Sequence, residues 1–135
     1  MPVDRDALAK ALADPSQTIH YMVDRTTHKI LTLNLDDKRS VVDVQQRVAA
    51  DKSRYVQIPK IKGRGNYEEM ERFIATVQDP HFKQALTRTL SGHRPFREFK
   101  DLLETKPKEK RAWEKFHQDT TDKRVTEFLR ATGLP

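Results

Sequence analysis

Lys60, Lys62 and Arg64 interleave with Gly63 and Gly65 between a short extended run, Arg54 to Ile58, and a helix-forming segment that opens near Asn66. That spacing can hold an anion. A helix N-terminus presents N–H groups without intrahelical partners, and ammonium and guanidinium groups beside it add full positive charge. The glycines permit positive φ and a close backbone approach. The Gly-x-x-x-x-Gly-Lys-Ser/Thr pattern is absent, and Gly63-x-Gly65 alone is no dinucleotide fingerprint. The chemistry on offer is contact with a phosphate or a nucleic-acid backbone. The plainer reading is a tight strand-to-helix turn with solvated lysines.

Two further segments offer the same chemistry. In His93 to Asp101, Arg94, Arg97 and Lys100 form a basic flank beside Phe96, Phe99 and Leu103, which the spacing turns inward together. Arg97 and Asp101 stand four residues apart and can pair on a helix. Lys106 to Arg111, with Lys115 one turn on, can track phosphates, although cations at a helix N-terminus are mildly unfavourable. Tyr55, Tyr67, Trp113 and Phe116 are the aromatics that could stack on bases. All but Tyr55 lie on apolar stripes, where core packing explains them.

Enzyme chemistry finds little support. His20, His28, His81, His93 and His117 form no i, i+4 pair and no His-Glu-x-x-His pattern. The serines have no nucleophile-elbow context. Glu68, Glu69 and Glu71 read as a first helical turn matched to the helix dipole. Histidines and acids could still converge in three dimensions. No catalytic residue, metal ligand or cofactor is assigned.

The composition narrows the class. The chain has 135 residues, 36% hydrophobic and 34% charged, enough for one domain with a core, so a single domain over 1–135 is expected. It has no cysteine, which excludes disulfides and zinc–thiolate sites. No apolar run approaches the roughly 18 residues of a membrane span, and no secretory signal pattern opens the chain. A soluble cytoplasmic protein without membrane contact is expected. The formal charge is +6. Residues 1–50 carry seven basic and seven acidic side chains, and residues 51–135 carry nineteen and thirteen. That imbalance favours polyanionic partners.

The elements that must position these groups follow from periodicity. Leu8 and Leu12 mark a short helix from Asp4 to Ala13, ended by Asp14-Pro15. Thr18–Asp24 and Lys29–Leu35 alternate and read as an antiparallel hairpin. One of its faces carries Ile19, Tyr21 and Val23, and the leucines 31, 33 and 35 share a face of the second run. Ser40 is the expected cap of a helix carrying Val41, Val44 and Val48. Arg54–Ile58 supplies a third strand. Asn66 and Glu69 have capping-box spacing for a helix bearing Tyr67, Met70, Phe73, Ile74 and Val77. Asp79-Pro80 opens the next helix and Ser91-Gly92 ends it. Two more stripes follow, one through Phe96 to Leu103 and one from Trp113 to Leu129.

The hairpin, Arg54-Tyr55-Val56-Gln57-Ile58-Pro59, Tyr67-x-x-Met70-x-x-Phe73-Ile74, Pro95-Phe96-Arg97-x-Phe99-Lys100-Asp101-x-Leu103 and Trp113-x-x-Phe116 with Phe128-Leu129 resemble the uncharacterised protein family 0158, small bacterial proteins. The resemblance runs through most of the chain. It implies a small sheet mixed with several helices and a bacterial cytoplasmic origin, and carries no activity with it.

The expected architecture is α+β: a small, mainly antiparallel three-stranded sheet packed with an N-terminal helix and a C-terminal helical part. The expected function is non-enzymatic binding through a basic surface, nucleic-acid-associated or regulatory, with Lys60, Lys62, Arg64, Arg94, Arg97 and Lys100 as phosphate contacts. The alternative is a protein–protein interaction module or homo-oligomer without nucleic-acid binding.

Overall fold

The computed structural model describes residues 1–61 and 63–135. The chain divides into two compact units, residues 1–61 with 122–135, and residues 62–121. The fold is α+β, with one three-stranded sheet and six α-helices among the described residues.

The first unit opens with α1, Arg5–Ala13. Asp4 caps it, its carboxylate accepting from the N–H groups of Asp6 at 3.0 Å and Ala7 at 3.2 Å. Leu8, Ala11 and Leu12 form its buried face. The hairpin follows as β1, Ile19–Asp24, and β2, Ile30–Asn34, with β3, Tyr55–Gln57, on the other side of β1. All pairings are antiparallel. β3 is shorter than expected because Arg54 ends a 3-10 turn, Lys52–Arg54. Ile58 N–H still donates to the Tyr21 carbonyl at 2.9 Å.

Register decides which side chains enter the core. Tyr21 faces Thr32 and Val23 faces Ile30, whereas Leu31 and Leu33 sit opposite Met22 and His20. Cross-strand partners share a face, so Leu31 and Leu33 lie on the side away from Val23. Leu35 is exposed. Leu8, Leu12, Val23, Ile58, Val125, Phe128 and Leu134 form the core of this unit, with Tyr21, Ile30 and Val56 packed on it.

The helix α2, Lys38–Ala50, starts earlier than expected. Its cap is Asp37, whose carboxylate accepts from Arg39 N–H at 3.1 Å and Ser40 N–H at 3.5 Å. Ser40 is already inside the helix, and its hydroxyl accepts from Asn34 N–H instead. The three-residue offset reflects competition between two good caps, of which the carboxylate wins.

The second unit holds α3, Gly63–Thr76; α4, Pro80–Leu90; α5, Pro95–Leu103; and the first part of α6, Pro107–Thr132. The expected cap at Asn66 is overturned. The helix is already formed at Gly63, so Gly65 and Asn66 belong to it and the glycine loop shrinks. Asp79 caps α4 with Pro80 in its first turn, as the sequence predicts. Met70, Phe73, Ile74, Val77, Phe82, Leu86, Phe99 and Leu103 form the core. Phe96 does not join it. The ring stands at the N-terminal end of α5, beyond the core, and is 40% exposed.

Asp24 is 5% exposed at the hairpin turn and receives a bidentate pair from Arg54, Nε at 2.8 Å and a terminal nitrogen at 2.7 Å. The N–H groups of Thr26 and Thr27 also donate to it. The Arg54 guanidinium, with those two N–H groups, holds the Asp24 carboxyl far below the usual carboxylate range against the opposing effect of burial. Its folded value lies under its unfolded one. The stabilisation is therefore complete above the unfolded pKa of about 3.9 and drains away as pH falls below it. Asp24→Asn is expected to cost roughly 2 kcal/mol at neutral pH in urea unfolding, with Arg54 still partly solvated. That cost should shrink steadily in the same measurement as the pH is lowered from about 4 to about 2.

Candidate functional site

The helices of the second unit pack around an aromatic cluster. Phe73 of α3 meets Phe99 of α5 and Trp113 and Phe116 of α6 edge-on, with ring centroids 6.2, 5.3 and 5.6 Å away. Phe99 and Trp113 are 4.9 Å apart. Such pairs stabilise beyond the area they bury. Phe116 and Trp113 are half-buried against this core.

At the edge of the cluster stands a pair that the sequence did not reveal. Glu69 is 1% exposed, and its Oε1 lies 2.6 Å from Nδ1 of His117. A carboxylate accepts, so Nδ1 carries the proton, and in the neutral imidazole Nε2 keeps its lone pair. The imidazole stacks on Trp113 at 5.5 Å with planes 23° apart. The His117 side chain is 48% exposed, and Nε2 makes no hydrogen bond among the described residues. Glu69 lies in the second turn of α3, not the first, and is not a dipole-matching surface acid. The available signal was positional. Glu69 stands four residues before Phe73 on the apolar stripe, and His117 stands four after Trp113.

The basic residues fall in different settings. Lys60 belongs to the first unit. Its ammonium donates to the Asp14 carbonyl at 3.3 Å and lies 5.6 Å from the centre of the Tyr21 ring. Tyr21 in turn donates to the Asp14 carboxylate, which holds that carboxyl below its usual range. Lys62 lies outside the described residues. Arg64 pairs with Glu68 at 3.1 Å on the exposed side of α3. Arg94, at the N-cap of α5, and Lys100, on α5, are exposed and form no ion pair among the described residues. Arg97 reaches Asp101 at 3.9 Å, with both side chains about 70% exposed, an arrangement worth little in water. The α5 segment thus brings Arg94, Arg97 and Lys100 together on one short element with the exposed Phe96. The remaining acid of its first turn, Glu98, folds back over Gly92, whose lack of a side chain leaves room for the carboxylate.

The Lys106 to Arg111 run is partly engaged. Lys110 pairs with Glu104 at 2.9 Å, and this carboxylate raises the lysine pKa. Lys106 lies 6.0 Å from the centre of the Phe82 ring. Lys108, Glu109 and Asp79 line a groove of about 340 Å³ with Phe73 and Val77. Among the described residues no three His, Asp or Glu side chains gather as metal ligands would.

The chain has one tryptophan, so its fluorescence reports the aromatic cluster. Phe73→Ala is expected to lower the stability of the second unit by roughly 3–4 kcal/mol in urea unfolding followed at that tryptophan.

No curated protein and no solved structure matches this chain. The model of the uncharacterised protein family UPF0158 matches residues 1–134, from ahead of α1 to the end of α6, and the chain belongs to that family.

Proposed function

We propose that this protein is a non-enzymatic binding protein that holds nucleic acid, single strands in particular, on the α5 segment. One observation carries the reading. Phe96, expected in the core, is 40% exposed between Arg94, Arg97 and Lys100. Lys100 follows it by four residues and shares its side of the helix. An exposed ring among cations suits a base stacked on the aromatic face while phosphates meet the charges, a mode tolerant of sequence. Lys60, Lys62 and Arg64 are assigned secondary phosphate contacts, because Lys60 and Arg64 already have neighbours of their own.

A bacterial cytoplasmic setting belongs to the same proposal. It is supported by a chain without cysteine and by the absence, among the described residues, of a helix long and apolar enough to cross a membrane. The alternative reading, a protein–protein or homo-oligomeric module, is favoured by Leu35 and Val42 of the first unit, which are 47% and 51% exposed.

Fluorescence-anisotropy titration of a labelled oligonucleotide across a salt series tests the choice. Affinity for single-stranded RNA or DNA is expected to fall steeply with salt. Replacing Arg94, Arg97 and Lys100 together by Ala should flatten the log–log slope by about 2. Phe96→Ala should weaken binding about tenfold at every salt concentration, the effect of losing roughly one stacked base. Salt-independent binding, or none at low salt, would refute the reading and leave the oligomer alternative to sedimentation analysis.

A further inference from the structure

Two acidic residues are buried among the described residues, Asp24 and Glu69, and they are partnered in different ways. Asp24 meets a guanidinium that engages it with two nitrogens, alongside two backbone N–H groups, and nothing reactive remains. Glu69 meets an imidazole by one nitrogen only. The second nitrogen of that ring makes no bond among the described residues, on a side chain that is half exposed. A carboxylate that fixes Nδ1–H sets the tautomer, orients the ring and increases the electron density at Nε2. Trp113 stacked against the imidazole limits its rotation. A tryptophan, a buried carboxylate and an outward Nε2 together make an oriented nucleophile.

His117 does not line the groove over Phe73 and Val77 described above. An exposed nucleophile on a helix suits a covalent carrier, whose donor and acceptor bring their own recognition surfaces. We propose that His117 is a phosphoryl-accepting residue, modified at Nε2 by a phosphoramidate or acyl-phosphate donor, with Glu69 as its positioning residue. In that step the Nε2 lone pair attacks phosphorus. The bond from phosphorus to the donor's leaving nitrogen or oxygen breaks, and its electron pair departs with ammonia or the carboxylate. The imidazolium formed is stabilised through Nδ1–H by Glu69, which can take that proton. No electron is gained or lost overall. The inference is independent of nucleic-acid binding by α5.

The experiment uses the full chain with phosphoramidate or acetyl phosphate as donor, followed by peptide mass spectrometry. His20, His28, His81 and His93 serve as internal references. His117 is expected to gain one phosphoryl group, labile in acid and stable in base, about tenfold or more faster than any of the other four. Glu69→Gln should slow His117 about tenfold while leaving the other four unchanged. If that variant fails to fold by circular dichroism, the comparison among the five histidines of the unaltered protein decides alone. Nitrogen-15 spectra should show Nδ1 protonated before reaction and phosphorus attached to Nε2 afterwards. Equal labelling of the five histidines, no labelling at all, or attachment at Nδ1 would overturn the proposal.

Discussion

A carboxylate removed from water must find a partner, because an uncompensated buried charge costs several kcal/mol. Each unit of this protein meets that constraint once among its described residues, and in each the partner comes from far along the chain. Asp24 is tied to Arg54, thirty positions on, and Glu69 to His117, forty-eight positions on. The first pair joins the hairpin turn to the segment that begins β3, which stands on the far side of β1 from β2. The second joins α3 to α6 beside the aromatic cluster. Neither contact adds much hydrophobic stability. Both make other arrangements of the same elements costly, since each alternative would part a buried carboxylate from its partner.

The choice of partner separates structure from chemistry. A guanidinium stays charged at any ordinary pH and offers a planar fork to both carboxylate oxygens. Arg54 also lies against Tyr55, which further fixes its position. An imidazole gives one nitrogen to the carboxylate and keeps the other. An arginine in place of His117 would give a permanently charged partner, and its absence leaves a polarised, half-exposed ring. Behind it, four rings pack through T-shaped, edge-to-face contacts, so the histidine stands on a packed base.

What could be read in the sequence was local. Asp79-Pro80 places a cap and a first-turn proline side by side, and helix α4 starts there. Alternation in the hairpin and the stripe Met70, Phe73, Ile74 and Val77 gave the elements and most of the core. Three features were not legible, each for a physical reason. Asp37 and Ser40 both cap helices well, and only the backbone path decides between them. Phe96 fits the periodicity of Phe99 and Leu103, but it stands in the first turn of α5 and is 40% exposed, and periodicity does not say how far along a helix the core extends. Glu69 and His117 meet across forty-eight residues, and no spacing rule links them. Their one signal, polar residues in line with apolar stripes, was masked for Glu69 by Glu68 and Glu71 beside it.

Charge shows the same limit from the other side. Counted along the sequence, the basic excess lies wholly in residues 51–135. Counted by compact unit it does not, because residues 122–135 belong with the N-terminal part. Each unit carries thirteen basic and ten acidic side chains. A sequence window therefore overstated how far the positive charge gathers, and net charge gives no reason to prefer one unit over the other. What distinguishes the α5 segment is composition at close range: three exposed cations, one of them weakly paired, around an aromatic ring that packing leaves uncovered. Ions in water interact strongly only within about a Debye length of roughly 10 Å. A cluster on one short helix meets that condition by its own covalent geometry, whatever the rest of the surface carries.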